Sequence, residues 1–317
     1  MEARTQQLLA AITREINGGH GEEKYASELG NAHTTLNEVW QAIARYEQAI
    51  IVAREIGDRR EEGIALSNLG LANVALGETD KAIDYFEKTL VIYREIGDRH
   101  GEAVALSDLG VVHLQNKQLK FAQSFFGEAC IIFSQLMSSD VNDAALGLIQ
   151  ACGSIKAANS YLINLVNRTA QLSPEQKLKQ KARVLQALSK IAIDQGAWSE
   201  AREMLENTIE YHKTMGEIEE IARDSRALAE IFYRSGNLHN CLLHYTDAIN
   251  LFRRAGNQLE VAGTLEVVGK LEVQIGEWED GMADLKQAMS LYEQIGDLAA
   301  VERLRTIFSN YSKEYIV

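Results

Sequence analysis

Residues 51–70 read IVAREIGDRREEGIALSNLG and residues 91–110 read VIYREIGDRHGEAVALSDLG, with 12 of 20 positions identical at an offset of 40. A fixed period of that size marks a stacked repeat, in which each unit buries its apolar face only against its neighbours. Inside the unit, Leu66, Leu69 and Asn73 follow helical spacing, and Gly77 then interrupts. A second helical run passes through Ala82, Ile83, Phe86, Leu90 and Ile96. Gly97-Asp98 closes it, because glycine accepts the left-handed conformation past a helix C-terminus. The unit is helix A, turn, helix B, turn.

Copies of the unit extend both ways. Gly196, Gly236 and Gly276 occupy the A-to-B turn at a spacing of 40, and small residues follow at Ala201, Cys241 and Gly281. Upstream, Asn37, Gly77 and Lys117 hold the same place, followed by Ala42, Ala82 and Ala122. The 79 residues from Lys117 to Gly196 leave room for one degenerate unit, with its turn near Ser154 to Ala157 and its glycine lost. That stretch reads as a hairpin of altered angle or as one long helix, and the resumption of the period favours the hairpin. It ends at Ser173-Pro174-Glu175-Gln176, the pattern of a capping box with proline in the first turn.

Leu66-x2-Leu69-Gly70-x2-Asn73, then Ala82-x3-Phe86-x2-Thr89, resembles the tetratricopeptide-repeat signature of large-x2-Leu-Gly-x2-Tyr, then Ala-x3-Phe-x2-Ala. Two features depart from it: the period is 40, and proline is missing after helix B. The longer unit resembles the variety found in spindle-orientation adaptors, kinesin light chains and bacterial regulators. The resemblance implies an all-α, right-handed α-solenoid of antiparallel helix hairpins, with seven repeats plus terminal helices, about 16 helices in all. The expected order is an orphan helix over 1–19, three regular repeats over 20–137 and a degenerate one over 138–173. Three more regular repeats then span 174–297, and a capping helix closes the chain over 298–317. In that helix Leu298, Val301, Leu304, Phe308, Tyr311 and Tyr315 form one stripe, which suits a cap or, if exposed, a homodimer contact; the chain is expected to be a monomer or such a dimer.

Composition narrows the function. The net charge of −13 opposes general affinity for nucleic acid or anionic membrane. No apolar run is long enough to span a bilayer, and Met1 to Ile16 lack a basic leader with a cleavage site, so a cytoplasmic protein is expected. Cys130, Cys152 and Cys241 are unclustered in apolar runs and read as small buried hydrophobes. No phosphate loop or HExxH is present, and His239 and His244 do not share a helix face. His33, Asn73 and His113 fall on the signature's tyrosine position and read as local hydrogen-bonding groups. No cofactor or metal is expected, and the chain reads as a non-enzyme.

The remaining surface is the candidate. At about 100° per residue, one set of helix A positions faces helix B and the opposite set faces away. The resemblance implies that this opposite set lines a concave groove for peptides. The first repeat contributes Lys24, Ser27, Asn31, Thr34 and Thr35, a small and polar set. The next two contribute Ile64, Leu71 and Val74, then Val104, Val111 and Leu114, an apolar zone. Beyond the degenerate repeat come Arg183, Lys190, Arg226, Tyr233, Arg234 and Lys270. The five cations there face three acids (Asp194, Glu230, Glu266), a local balance of +2. The expectation is a scaffold or adaptor binding a peptide segment or helix of a partner protein, its apolar anchor on the first zone and its acidic part on the second. The alternative is a regulatory sensor of the peptide-responsive bacterial kind, whose superhelix changes shape on binding.

Overall fold

A computed structural model describes residues 22–170 and 172–315, with side chains from Glu38 onward except those of 310 and 312–315. The helix expected over 1–19, the side chains of the first repeat's polar set and that of Tyr315 lie outside it.

Fourteen helices and no strand occur among the described residues. They are α1 (Glu22–Ile56), α2 (Arg59–Ala75), α3 (Thr79–Ile96), α4 (Arg99–Gln115), α5 (Leu119–Leu136), α6 (Val141–Cys152) and α7 (Ile155–Arg168). After them come α8 (Pro174–Asp194), α9 (Trp198–Met215), α10 (Ile218–Arg234), α11 (Leu238–Ala255), α12 (Gln258–Ile275), α13 (Trp278–Ile295) and α14 (Leu298–Tyr315). The expected count of about 16 is therefore too high. One helix falls outside the described residues, and α1 runs unbroken through Asn37, where the period predicts a turn. Nothing from Thr35 to Val39 breaks a helix, since neither glycine nor proline is present.

The helices fall into two compact units, residues 1–125 and 126–317, the boundary lying inside α5. In the first unit, Ile50, Ala65, Leu66, Leu69 and Ile92 form a buried cluster, with Ile43, Tyr46 and Tyr85 packed on it. The repeated spacing of small and large residues has a direct steric cause. A Cβ on Gly70 would stand 2.5 Å from the Phe86 ring, so the ring of helix B occupies the space that glycine leaves on helix A. Asn73 donates to the Leu69 carbonyl at 2.7 Å. His113 bonds Gln118 and stacks on Phe121 and Phe125, at centroid distances of 5.3 and 5.2 Å. Both polar residues are satisfied locally.

In the second unit the degenerate stretch is the hairpin α6–α7. Its turn keeps a glycine, contrary to the sequence reading. Gly153 ends α6 at φ 81°, and Ser154 then caps α7 by accepting from Ala157 N at 3.2 Å. Gly153 stands 36 residues after Lys117 and 43 before Gly196, so the unit is four residues short before the turn and three long after it, which shifts the glycine out of the period. The capping box forms: Gln176 N donates to Ser173 Oγ at 3.2 Å and Ser173 N to Gln176 Oε1 at 2.8 Å. Phe126 fills the space over Gly147, and Gly269 and Gly281 bring α12 and α13 into backbone contact. On α14, Ala300, Val301 and Leu304 are buried, Phe308 and Tyr311 pack partly, and Leu298 is 76% exposed at the helix start. Cys130 and Cys241 are buried and Cys152 is partly so; all three are free thiols.

Candidate functional site

In the first unit the predicted apolar set stays accessible. Leu71 is 50% and Val111 40% exposed. Ile64, Val74, Val104 and Leu114 are each partly exposed. The two A helices that carry them, α2 and α4, are joined by Ser67, whose Oγ donates to Asp108 Oδ2 at 3.5 Å. Burial pushes the Asp108 carboxyl up to about 6, with Ser67 opposing the shift.

A hollow of about 550 Å³ in the second unit, among Ile209, Lys213, His244 and Arg254, takes in no predicted residue, whereas two others do. The larger of those two, about 480 Å³, is walled by the end of α5, the start of α6, and parts of α8, α9 and α10. It brings together two predicted residues, Arg183 and Lys190, and adds Lys179, Gln186, His212 and Glu217. Arg183 Nη1 donates to the carbonyls of Ser134 and Gln135 at 3.3 and 3.4 Å, near the negative end of α5. Met137 stands at this hollow, 78% exposed, with φ 55° where corresponding turns hold glycine. The smaller hollow, about 160 Å³, lies among Glu230, Tyr233, Tyr245, Val267, Lys270 and Leu271. Tyr233, 42% exposed, and Lys270 meet there as predicted groove residues.

The remaining predicted cations are engaged within the fold. Arg226 pairs with Glu260 of α12 and lies 5.6 Å from the Phe252 ring centroid. Arg234 Nε donates to Glu230 at 2.6 Å, and Lys270 Nζ to Glu266 at 2.6 Å. Glu266 also accepts from Arg303 Nη2 at 2.7 Å and from the Tyr292 hydroxyl at 3.2 Å. Burial raises the Glu266 carboxyl, but Arg303 and Lys270 outweigh it and hold the group at about 2. The local excess of +2 omitted Glu260, which offsets Arg226. Lys190 is exposed at the larger hollow and makes no ion pair among the described residues.

Sequence reading missed the buried set beside this hollow. His212, 3% exposed, sets Nδ1 2.8 Å from Glu217 Oε2 and Nε2 3.6 Å from Asp224 Oδ2. Gln186 Nε2 donates to Asp224 Oδ1 at 3.0 Å. Burial raises the Glu217 carboxyl, but His212 and Lys179 overcome it and leave it lowered. Asp224, more deeply enclosed, is raised by burial against Gln186, Thr208 and His212. One signal was available. Gly57, Gly97, Gly256 and Gly296 are each followed by Asp or Asn, whereas Gly216 is followed by Glu217. Its longer side chain makes no cap and turns to His212 instead. Among the described residues, no group of three or more His, Cys, Asp or Glu is placed to hold a metal ion.

Residues 61–134 match the family model described as tetratricopeptide repeat. That stretch carries tetratricopeptide repeats. Residues 157–311 match a second model, described as soluble NSF attachment protein, SNAP. Nothing matches among curated proteins. Among solved structures it is similar to BtubC (BKLC) from P. vanneervenii, at 13% identity over 81% of this chain and 92% of that one, TM-score 0.39. It is also similar to the apo quorum sensor NprR from B. thuringiensis, at 12% identity over 98% and 93%, TM-score 0.32. A third is the TPR2AB domain of yeast Sti1 in complex with an HSP90 peptide, at 15% identity over 90% and 99%, TM-score 0.32. Likenesses this loose carry nothing about the ligand of this chain. No helix among its described residues is long and apolar enough to cross a membrane.

Proposed function

We propose that this chain is a non-enzymatic, cytoplasmic scaffold or adaptor that holds a peptide segment or helix of a partner protein against its A helices. The observation that carries this reading is the apolar face of the first unit. Leu71 and Val111 lie 50% and 40% exposed among partly exposed Ile64, Val74, Val104 and Leu114, although the same helices bury Leu66, Leu69, Leu106 and Leu109 almost completely. Repeats that can bury leucine that well have no packing need for apolar groups on the opposite face, and clustered apolar surface marks interaction sites. The larger hollow of the second unit supports the acidic part of the reading, because Lys190 there is uncommitted.

Capture of binding partners by the intact chain tests it. Wild type would run beside Leu71→Ser/Val111→Ser and Arg183→Glu/Lys190→Glu, with circular dichroism checking the fold of each. Arg183 and Lys190 replace the internally paired Arg226, Arg234 and Lys270 as informative positions, because neither makes an ion pair among the described residues, and Arg183 is held only by two long hydrogen bonds to the carbonyls of Ser134 and Gln135. A partner held by wild type and lost from either variant supports the scaffold. Equal capture by all three chains sinks it.

The sensor reading has one observation in its favour. His212, Glu217, Asp224 and Gln186 tie α8, α9 and α10 beside the larger hollow, and Asp224 Oδ2 has no hydrogen-bond partner. A ligand that re-pairs these groups would change how the three helices are held. Ligand-dependent hydrogen-exchange protection confined to α8–α10 is the expected signature, and unchanged exchange across those helices would remove this reading.

A further inference from the structure

We propose that the A-helix face of the first unit docks a partner segment that presents a lysine or arginine flanked by apolar side chains, with the cation meeting Asp108. This inference rests on the scaffold reading and specifies the chemistry of its ligand.

The geometry places one carboxylate in the middle of an apolar field. Ser67 on α2 has Ile64 and Leu71 three and four residues away on its own helix face. Asp108 on α4 likewise has Val104 and Val111 at four and three. The 3.5 Å contact of Ser67 with Asp108 sets these two groups side by side, so the carboxylate stands between two pairs of accessible aliphatic side chains. Its one hydrogen bond is long for a hydroxyl donor. No ion pair reaches Asp108 among the described residues, and its carboxyl is raised by burial with no neighbouring charge contributing.

A carboxylate kept in apolar surroundings without a counter-charge disfavours the folded state. The repeat does not require it. The position 40 residues earlier is Asn68, in the copy that matches this one at 12 of 20 positions. The same helix packing is built there without the charge. A guanidinium or ammonium from a ligand would supply the missing donor, and apolar residues on either side of it would cover Leu71 and Val111. A purely apolar ligand would bury the carboxylate further and leave it unpaired. An acidic ligand would repel it.

The test uses the full chain and a peptide array in which a central arginine is flanked by combinations of Leu, Val, Ile and Phe. A matched array replaces arginine with citrulline, which keeps the shape and removes the charge. Fluorescence anisotropy on the tightest arginine peptide is expected to give an advantage of about 10- to 100-fold over its citrulline twin, the range of one charge-assisted hydrogen bond. In Asp108→Asn, which restores the residue of the preceding repeat, the advantage disappears while citrulline affinity holds. Leu71→Ser weakens both peptides. Equal binding of the twins to wild type, an advantage that survives Asp108→Asn, or no binding by either array overturns the inference. An acidic peptide array tested against Arg183→Glu/Lys190→Glu separates the two failures. If acidic peptides bind wild type through those residues while no arginine preference exists, the scaffold reading stands and this inference alone falls.

Discussion

Arg94 Nε donates to Glu102 Oε1 at 2.8 Å, across the turn that joins α3 to α4. The same clasp occurs 40 residues earlier, where Arg54 Nε meets Glu62 Oε1 at 2.7 Å. A second arginine closes each carboxylate from the other side, Arg59 on Glu62 and Arg99 on Glu102. Each clasp joins the end of one helix B to the start of the next helix A, so REIGDRxxE in the sequence is an inter-repeat fastener. Both glutamates are almost fully buried, and both Nε donors sit on half-exposed arginines.

The clasp makes Glu102 more than a helix-start acid complementing the dipole. Glu102→Ala is expected to lower unfolding free energy by about 1–3 kcal/mol, since it removes two charge-assisted hydrogen bonds that solvent only partly screens. Glu61→Ala is expected to change it by about 0.5 kcal/mol or less, because Glu61 is exposed. Urea denaturation of the pair checks the difference, and equal losses would show that the clasp contributes nothing.

Close approach of α12 and α13 predicts a sharp contrast between neighbouring glycines. A Cβ on Gly281 would stand 2.6 Å from the Gly269 carbonyl oxygen, and backbone cannot yield as a side chain can. Gly281→Ala should cost about 1–3 kcal/mol by overpacking. At Gly263 an added Cβ finds its nearest neighbour at 3.6 Å, the Tyr292 hydroxyl. Gly263→Ala should therefore stabilise by about 0.5–1 kcal/mol through helix propensity. Thermal melts of the two variants should move in opposite directions.

Lys117 and Met137 hold φ of 58° and 55° at turns where the other repeats place glycine. Either residue replaced by glycine should gain about 1 kcal/mol, the cost of the left-handed conformation for a residue with a Cβ. At Met137 the gain should come with weaker binding in the larger hollow, whereas Lys117→Gly should leave binding there unchanged. Melting temperature and peptide affinity measured on both variants test this, and a binding loss shared by the two would argue against a role for Met137.

Two carboxylates predict opposite responses to pH. Asp108 titrates at about 6 when folded, above its ordinary value of 3.8. Its contribution to stability is full below about 4 and is lost as pH rises through 6. Asp108→Asn should thus stabilise the chain by about 1–3 kcal/mol at pH 7.5. Glu266 is held at about 2, below its ordinary 4.5. Its contribution is present above 4.5 and disappears as pH falls toward 2. Glu266→Gln should cost about 1–3 kcal/mol at pH 7.5, with the loss shrinking below pH 4. Guanidinium titrations at several pH values distinguish the two, and parallel profiles would contradict both assignments.

Most helix boundaries were legible because they are set locally. Apolar spacing, a glycine able to take positive φ and a short cap such as Asp58, which accepts from Glu61 N at 3.0 Å, act within a few residues. Where that local chemistry is absent, the period alone misled: α1 passes through Asn37 without a break. The apolar face of α2 and α4 was legible for the same reason, since helical spacing decides which side chains share a side. The pairs within one helix, Arg234 with Glu230 and Lys270 with Glu266, are local as well, but the pairs between helices were not legible. Arg226 meets Glu260 and Glu266 meets Arg303, partners 34 and 37 residues apart, on successive A helices. Which of several arginines reaches which carboxylate depends on how adjacent helices are rotated and spaced, and no local pattern carries that. The amino-acid sequence by itself determined the repeat, its turns and the side of each helix left without a partner. Only tertiary packing decided that Arg226 pairs with Glu260 of another helix and that Glu266 also takes Arg303, that His212 is enclosed beside a hollow, and that Asp108 stands among aliphatic groups without a counter-charge. Pairing between charges is a property of distance in space, and the chain specifies that distance only once its helices are stacked.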